Sequence, residues 1–118
     1  MPSFKSEFSH AVRLKEGRRI RETYPDKIPI ICEKSNVEKT IPQIDKKKYL
    51  VPIDLTLGQF IYVIRKRLQL KSDQALFVLI NGSSPSHSTL MSELYKSNKE
   101  SDEYLYITYA AESTFGYI

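Results

Sequence analysis

One cysteine, no tryptophan and four glycines stand in 118 residues. A lone thiol cannot close a disulfide within the chain and leaves no Cys-based zinc set. That scarcity suits a reducing, cytosolic setting. Long apolar runs are missing too: none approaches the roughly 20 residues of a membrane-spanning helix, which argues against a transmembrane chain. The opening Met1-Pro2-Ser3-Phe4-Lys5 lacks the apolar stretch of a signal peptide. There is no Gly-rich phosphate loop, no metal-ligand spacing around His10 and His87, and no acid–base pair set up for a reaction. The chain is therefore read as a non-enzyme without metal or cofactor. Linkers, repeats and low-complexity tracts are also absent.

What is present suffices for one globular domain. Hydrophobic residues make up 41% of the chain, which argues against disorder and for a globular fold. A chain of this size buries roughly two-thirds of its unfolded surface. Charge is unevenly placed. Up to Lys71 there are 16 basic and 8 acidic residues, a balance of +8; from Ser72 onward there are 2 and 6, a balance of −4. The first part carries a positive field that attracts acidic partners or anionic membrane. No nucleic-acid motif accompanies it, so a solvated basic surface is the better reading than a nucleic-acid site.

Phe4 and Phe8 share one face of a short helix. Ser9 is an N-cap for a second helix running to about Tyr24, with Ala11, Val12, Ile20 and Tyr24 as its apolar side and Gly17 as a weak point. Pro25 closes it. Lys27 to Lys34 reads as a strand, with Ile28, Ile30 and Cys32 on one face and Pro29, Ile31 and Glu33 on the other. That second face is apolar enough to need cover, and the N-terminal helices are the candidates. A polar connection, Ser35 to Lys47, leads to a short strand, Lys48 to Pro52. Pro52 cannot donate to a ladder, which places this strand at an edge.

Leu57 to Leu68 is a helix started by a Thr56/Gln59 capping box, with Leu57, Phe60, Ile61, Ile64 and Leu68 facing the core. Leu76 to Ile80 is a third strand and Asn81-Gly82 a turn. Leu90, Met91, Leu94 and Tyr95 suggest a short helix. Tyr104 to Tyr109 is a fourth strand. Cys32, in an apolar strand with no histidine nearby, reads as an inert core thiol. The order predicts an α+β, ubiquitin-like β-grasp with two additional N-terminal helices. Residues 1–26 form the helical extension, 27–110 the core, and 111–118 a flexible tail.

Several strings carry a resemblance: Ile28-Pro29-Ile30-Ile31-Cys32-Glu33-Lys34, Ile44 through Pro52, Leu57-Gly58-Gln59-Phe60, Ile64-Arg65-Lys66-Arg67 and Ser113-Thr114-Phe115-Gly116. Together they resemble the autophagy ubiquitin-like modifiers of the GABARAP type, from Phe4 to Gly116. The resemblance implies cleavage by a dedicated cysteine protease after Gly116, with Phe115 and Tyr117 flanking the cut. It then implies handling by activating and conjugating enzymes, and covalent attachment to phosphatidylethanolamine. The lipidated protein would sit on autophagosomes and other cytoplasmic vesicles and recruit cargo receptors. Glycine suits that role because an extended tail without Cβ threads narrow enzyme clefts. Since the chain ends at Ile118, it is expected to be a precursor. The alternative is a ubiquitin-like trafficking adaptor that works without conjugation.

The resemblance also implies binding of aromatic-x-x-aliphatic peptides along the Lys48–Pro52 edge by β-augmentation. The aromatic pocket maps to Glu16, Ile20, Pro29, Ile31, Lys48, Leu50 and Tyr104. The aliphatic pocket maps to Tyr49, Val51, Pro52, Leu55, Phe60 and Val63. Lys27, Lys46, Lys48 and Arg67 would draw acidic flanking residues. Micromolar affinity, about −8 kcal/mol, is expected. Phe77, Val78 and Leu79 match a second docking surface for helical motifs. Tyr104 departs from a common phenylalanine, and Lys27 from a common arginine whose planar fork it lacks.

Overall fold

A computed structural model describes residues 2–36 and 39–111 of the chain. Eight elements follow one another: α1 (Phe4–Glu7), α2 (His10–Thr23), β1 (Lys27–Lys34), β2 (Lys48–Pro52), α3 (Leu57–Leu68), β3 (Phe77–Leu79), α4 (Met91–Asn98) and β4 (Leu105–Ala110). The strands form one sheet in the order β2-β1-β4-β3. The central pair, β1 and β4, is parallel; β2 and β3 run antiparallel to their neighbours and form the two edges.

Period-two alternation sorts β1 between two apolar layers. Ile28, Ile30 and Cys32 face the larger core, where Leu57, Phe60, Ile61, Ile64 and Leu68 of α3 pack with Leu105, Ile107 and Tyr109 of β4. Ile31 faces the opposite way and packs with Phe4, Ile20 and Tyr104. The N-terminal helices thus cover the second face, as the apolar Pro29 and Ile31 demand.

Local signals set the boundaries. Thr56 Oγ1 accepts from Gln59 N at 3.1 Å and Gln59 Oε1 accepts from Thr56 N at 2.9 Å, closing the capping box that starts α3. Asn81 and Gly82 both take positive φ, 50° and 77°, and join the Ile80–Ser83 bridge as a tight turn. The third strand shortens to Phe77–Leu79, although Leu76 and Ile80 stay buried beside it. The fourth shifts by one residue to Leu105–Ala110. The polar connection before β2 also holds core residues: Ile41 and Ile44 are buried, and Tyr109 Oη both accepts from Ile44 N at 2.8 Å and donates to Pro42 O at 2.9 Å.

The expected apolar side of α2 needs correction. Val12 and Tyr24 are exposed, at 54% and 42%, and Ala11 is exposed too; only Gly17 and Ile20 are buried. The helix docks through backbone proximity. A Cβ added at Gly17 would lie 2.2 Å from Asp102 O. Gly17→Ala therefore gains about 1 kcal/mol of helix propensity yet pushes α2 away from the Asp102 turn, an overpacking cost of about 1–3 kcal/mol or more at a backbone contact. A net loss of stability in urea unfolding is expected. An unchanged or raised midpoint would refute the close docking.

Candidate functional site

β2 pairs with β1 on one side only, from Lys27 opposite Pro52 to Ile31 opposite Lys48. Its other edge is free for a further strand among the described residues. Exposure alternates along it: Lys48, Leu50 and Pro52 are exposed, while Tyr49 and Val51 are buried. Pro52, at the strand end, removes no central ladder bond.

The first group of expected pocket residues is brought together. Ile20, Ile31 and Tyr104 form one cluster with Phe4, and the exposed Leu50 stands opposite the buried Pro29. The Lys48 ammonium sits 6.0 Å from the Tyr104 ring centre and 5.8 Å from that of Phe4. Glu16 lies on α2, paired with Arg19. That Arg19 hydrogen bond outweighs the opposing effect of burial and holds the Glu16 carboxyl below its usual range. Ile20, Pro29, Ile31 and Tyr104 are buried, Glu16 is half-buried, and Lys48 and Leu50 are exposed.

The N-terminal segment adds residues that the sequence reading did not assign to the site. Phe4, Phe8, Val12, Arg13, Lys15 and Arg19 join Glu16 and Lys48 around a groove of about 600 Å³. The i, i+4 spacing of Phe4 and Phe8 was the available signal, and their rings meet at 5.1 Å.

The second group is divided by depth. Tyr49, Val51 and Phe60 belong to the main core, with the Tyr49 and Phe60 rings edge to face at 5.6 Å. Leu55 packs partly against that core. Pro52 and Val63 are exposed, and so are Ile53 and Tyr62. Among the basic residues, Lys46 places its ammonium 5.1 Å from the Tyr49 ring centre. Lys27 is half-buried, and its carbonyl accepts from Arg21. Arg67 already grips Asp45, with Nε–Oδ1 at 2.9 Å and Nη2–Oδ2 at 3.4 Å. On the other edge strand Phe77 is exposed, Leu79 half-buried and Val78 buried in the core. Phe115, Gly116 and Tyr117 lie outside the described residues.

A further feature of this face was missed from sequence. Asp102 is 1% exposed. Its carboxylate accepts from Arg13 Nε at 3.0 Å, Tyr106 Oη at 2.5 Å and Tyr104 N at 3.0 Å. Burial alone would push this carboxyl up; those hydrogen bonds outweigh burial and hold it below its ordinary value. The network ties α2 to the start of β4 and so sets the position of Tyr104. Cys32 is fully buried, and desolvation, with a smaller contribution from Glu33, pushes its thiol far up, so no thiolate nucleophile is available there. Among the described residues no His, Cys, Asp and Glu cluster could hold a metal.

A sheet crossed by α3 on one face and covered by two N-terminal helices on the other, with β2 left as an open edge, defines a ubiquitin-like α+β protein. The family model described as "Autophagy protein Atg8 ubiquitin like" matches residues 12–116. The chain is 55% identical over 114 residues to the Autophagy-related protein 8 of Schizosaccharomyces pombe, covering 96% of this chain and 93% of that one. Autophagy-related protein 8 of Candida glabrata is 50% identical over 115 residues, with 98% and 97% covered. Autophagy-related protein 8a of Arabidopsis thaliana is 50% identical over 114 residues, with 97% and 93% covered. The chain belongs to the Atg8 family of autophagy-related ubiquitin-like proteins.

Proposed function

We propose that this chain is a ubiquitin-like modifier of autophagy that works as a substrate and scaffold and not as an enzyme. In this reading a cysteine protease hydrolyses the Gly116–Tyr117 bond. A free carboxylate is a poor acyl donor, so an activating enzyme joins it to ATP as an acyl-adenylate, releasing pyrophosphate, and the enzyme's thiol then displaces AMP to give a thioester. The amine of phosphatidylethanolamine attacks that thioester carbonyl; an amide forms and the enzyme thiol leaves. Gly116 supplies the acyl group and no catalytic side chain. No helix among the described residues is long and apolar enough to cross a membrane. Membrane attachment in this reading runs through the lipid.

The second half of the reading is recruitment of cargo receptors by aromatic-x-x-aliphatic motifs. The observation that carries it is the open edge of β2 beside the Ile20, Ile31 and Tyr104 cluster. A peptide strand paired with β2 puts residues three apart on opposite faces. One then meets the rim of Lys48 and Leu50, and the other reaches the side of Val63 and Leu55.

Leu50 supplies exposed apolar area at the rim, 40% of its surface. Its loss removes burial worth about 1–2 kcal/mol, so Leu50→Ala is expected to weaken an aromatic-x-x-aliphatic peptide roughly tenfold. Calorimetric titration with a synthetic peptide measures this. Unchanged affinity would sink the edge-strand assignment.

A further inference from the structure

The aromatic-x-x-aliphatic spacing occurs in this chain itself. Phe115-Gly116-Tyr117-Ile118 has the aromatic residue, two residues between and the aliphatic one, and Glu112 stands three residues ahead of the phenylalanine. The same spacing recurs at 60–63, 77–80 and 104–107, but there it is locked into the fold. Phe60 lies within α3, Ile80 is buried, and so are Tyr104 and Ile107. Residues 115–118 follow β4, which closes at Ala110, and lie outside the described residues. The chain therefore carries both a strand edge that is open among the described residues and, past its last strand, a segment of the kind proposed to fill it.

Reach decides which edge that segment can fill. Tyr109 of β4 stands level with Lys34 of β1, and Leu50 of β2 stands level with Pro29. From Ala110 to the open side of Leu50 the path crosses three interstrand spacings and runs back six residues along the sheet, about 24 Å in a straight line. The five residues from Ala110 to Phe115 span at most about 18 Å when fully extended. A copy cannot seat Phe115 beside its own Leu50, whereas a second copy has no such limit. We infer that the uncleaved segment 115–118 of one copy adds a strand to the β2 edge of a second copy, and that cleavage after Gly116 ends this pairing. The inference rests on the peptide-binding reading above. Phe115 then lies on the side of Lys48 and Leu50, and Ile118 on that of Val63 and Leu55. The exposed Lys46 and Lys48 ammonium groups draw Glu112. The contact is head-to-tail, so a bound pair still offers one edge and one segment to further copies. Hydrolysis of the Gly116–Tyr117 bond removes Ile118, the aliphatic anchor. Processing thus opens the edge to receptors in the same step that uncovers the glycine.

Sedimentation of the purified full chain, of the chain ending at Gly116 and of the full chain with Ile118→Ala tests this. The full chain is expected to associate at micromolar concentration, at least about tenfold more tightly than the other two, because each of those lacks the buried aliphatic side chain. Excess of a synthetic aromatic-x-x-aliphatic peptide of unrelated sequence, titrated separately on the chain ending at Gly116, should return the full chain to monomer. A full chain that sediments like the chain ending at Gly116, while that shorter chain binds the peptide, would overturn the inference and leave peptide binding intact. Association that survives Ile118→Ala or excess peptide would place the contact elsewhere and overturn it as well. If the chain ending at Gly116 does not bind the peptide, the peptide-binding reading itself fails.

Discussion

Asp102→Ala lowers the stability of the folded chain by about 3 kcal/mol, within the range of about 3–5 kcal/mol for removing one partner of a buried ion pair. The cost arises at three groups. Arg13, whose side chain is 10% exposed, loses its carboxylate, although it still donates to Phe8 O at 2.7 Å. Tyr106 Oη and Tyr104 N each lose an acceptor. The lower end of the range follows because Arg13 keeps a carbonyl partner.

The effect has a pH signature. The folded-state carboxyl titrates below its ordinary value of about 3.9, so its contribution is complete at neutral pH. It is lost as pH falls from about 4 through the depressed folded value. Urea midpoints measured between neutral pH and pH 3 should converge for wild type and Asp102→Ala on acidification. A gap that stays constant across that range would contradict the role given to the carboxylate.

Gly116→Ala is expected to abolish membrane attachment while leaving peptide affinity unchanged. The added methyl places a Cβ where the tail must pass through enzyme clefts and present an unhindered carbonyl. In the proposed conjugation reading, cleavage, activation and aminolysis would all act at that carbonyl, so a fault at any step removes the product and the membrane-bound fraction should fall at least about tenfold. Flotation of cell membranes followed by quantitative blotting measures it. The unconjugated adaptor reading predicts equal membrane fractions for the two proteins, and that result would favour it.

The legible parts of this fold are those governed by short-range rules. Thr56 and Gln59 announce α3, and the spacing of Leu57, Phe60, Ile61, Ile64 and Leu68 gives its buried face. Alternation in β1 separates Ile28, Ile30 and Cys32 from Ile31, and both faces are filled as that pattern requires. The docking of α2 was hidden because Gly17 looks like a weak helix residue until Asp102 is placed against it. Arg13 and Asp102 are 89 residues apart, and no local rule pairs them. Ile41 and Ile44 were lost in a stretch read as polar.

The site was legible in direction more than in depth. The alternation of Lys48, Tyr49, Leu50, Val51 and Pro52 follows from strand geometry. That Phe60 and Tyr104 are sealed beneath other side chains depends on distant packing, including Phe4. The same holds for Arg67, whose guanidinium is occupied by Asp45 from the preceding loop. In the proposed peptide-binding reading, a peptide carboxylate would compete with that pair, which shifts the expected electrostatic draw toward Lys46 and Lys48.

The mass of the intact protein isolated from cell membranes tests the central claim most directly. The account predicts a polypeptide lacking Tyr117 and Ile118 and carrying one phosphatidylethanolamine in amide linkage. Membrane-associated protein found only with both terminal residues and no lipid would contradict it.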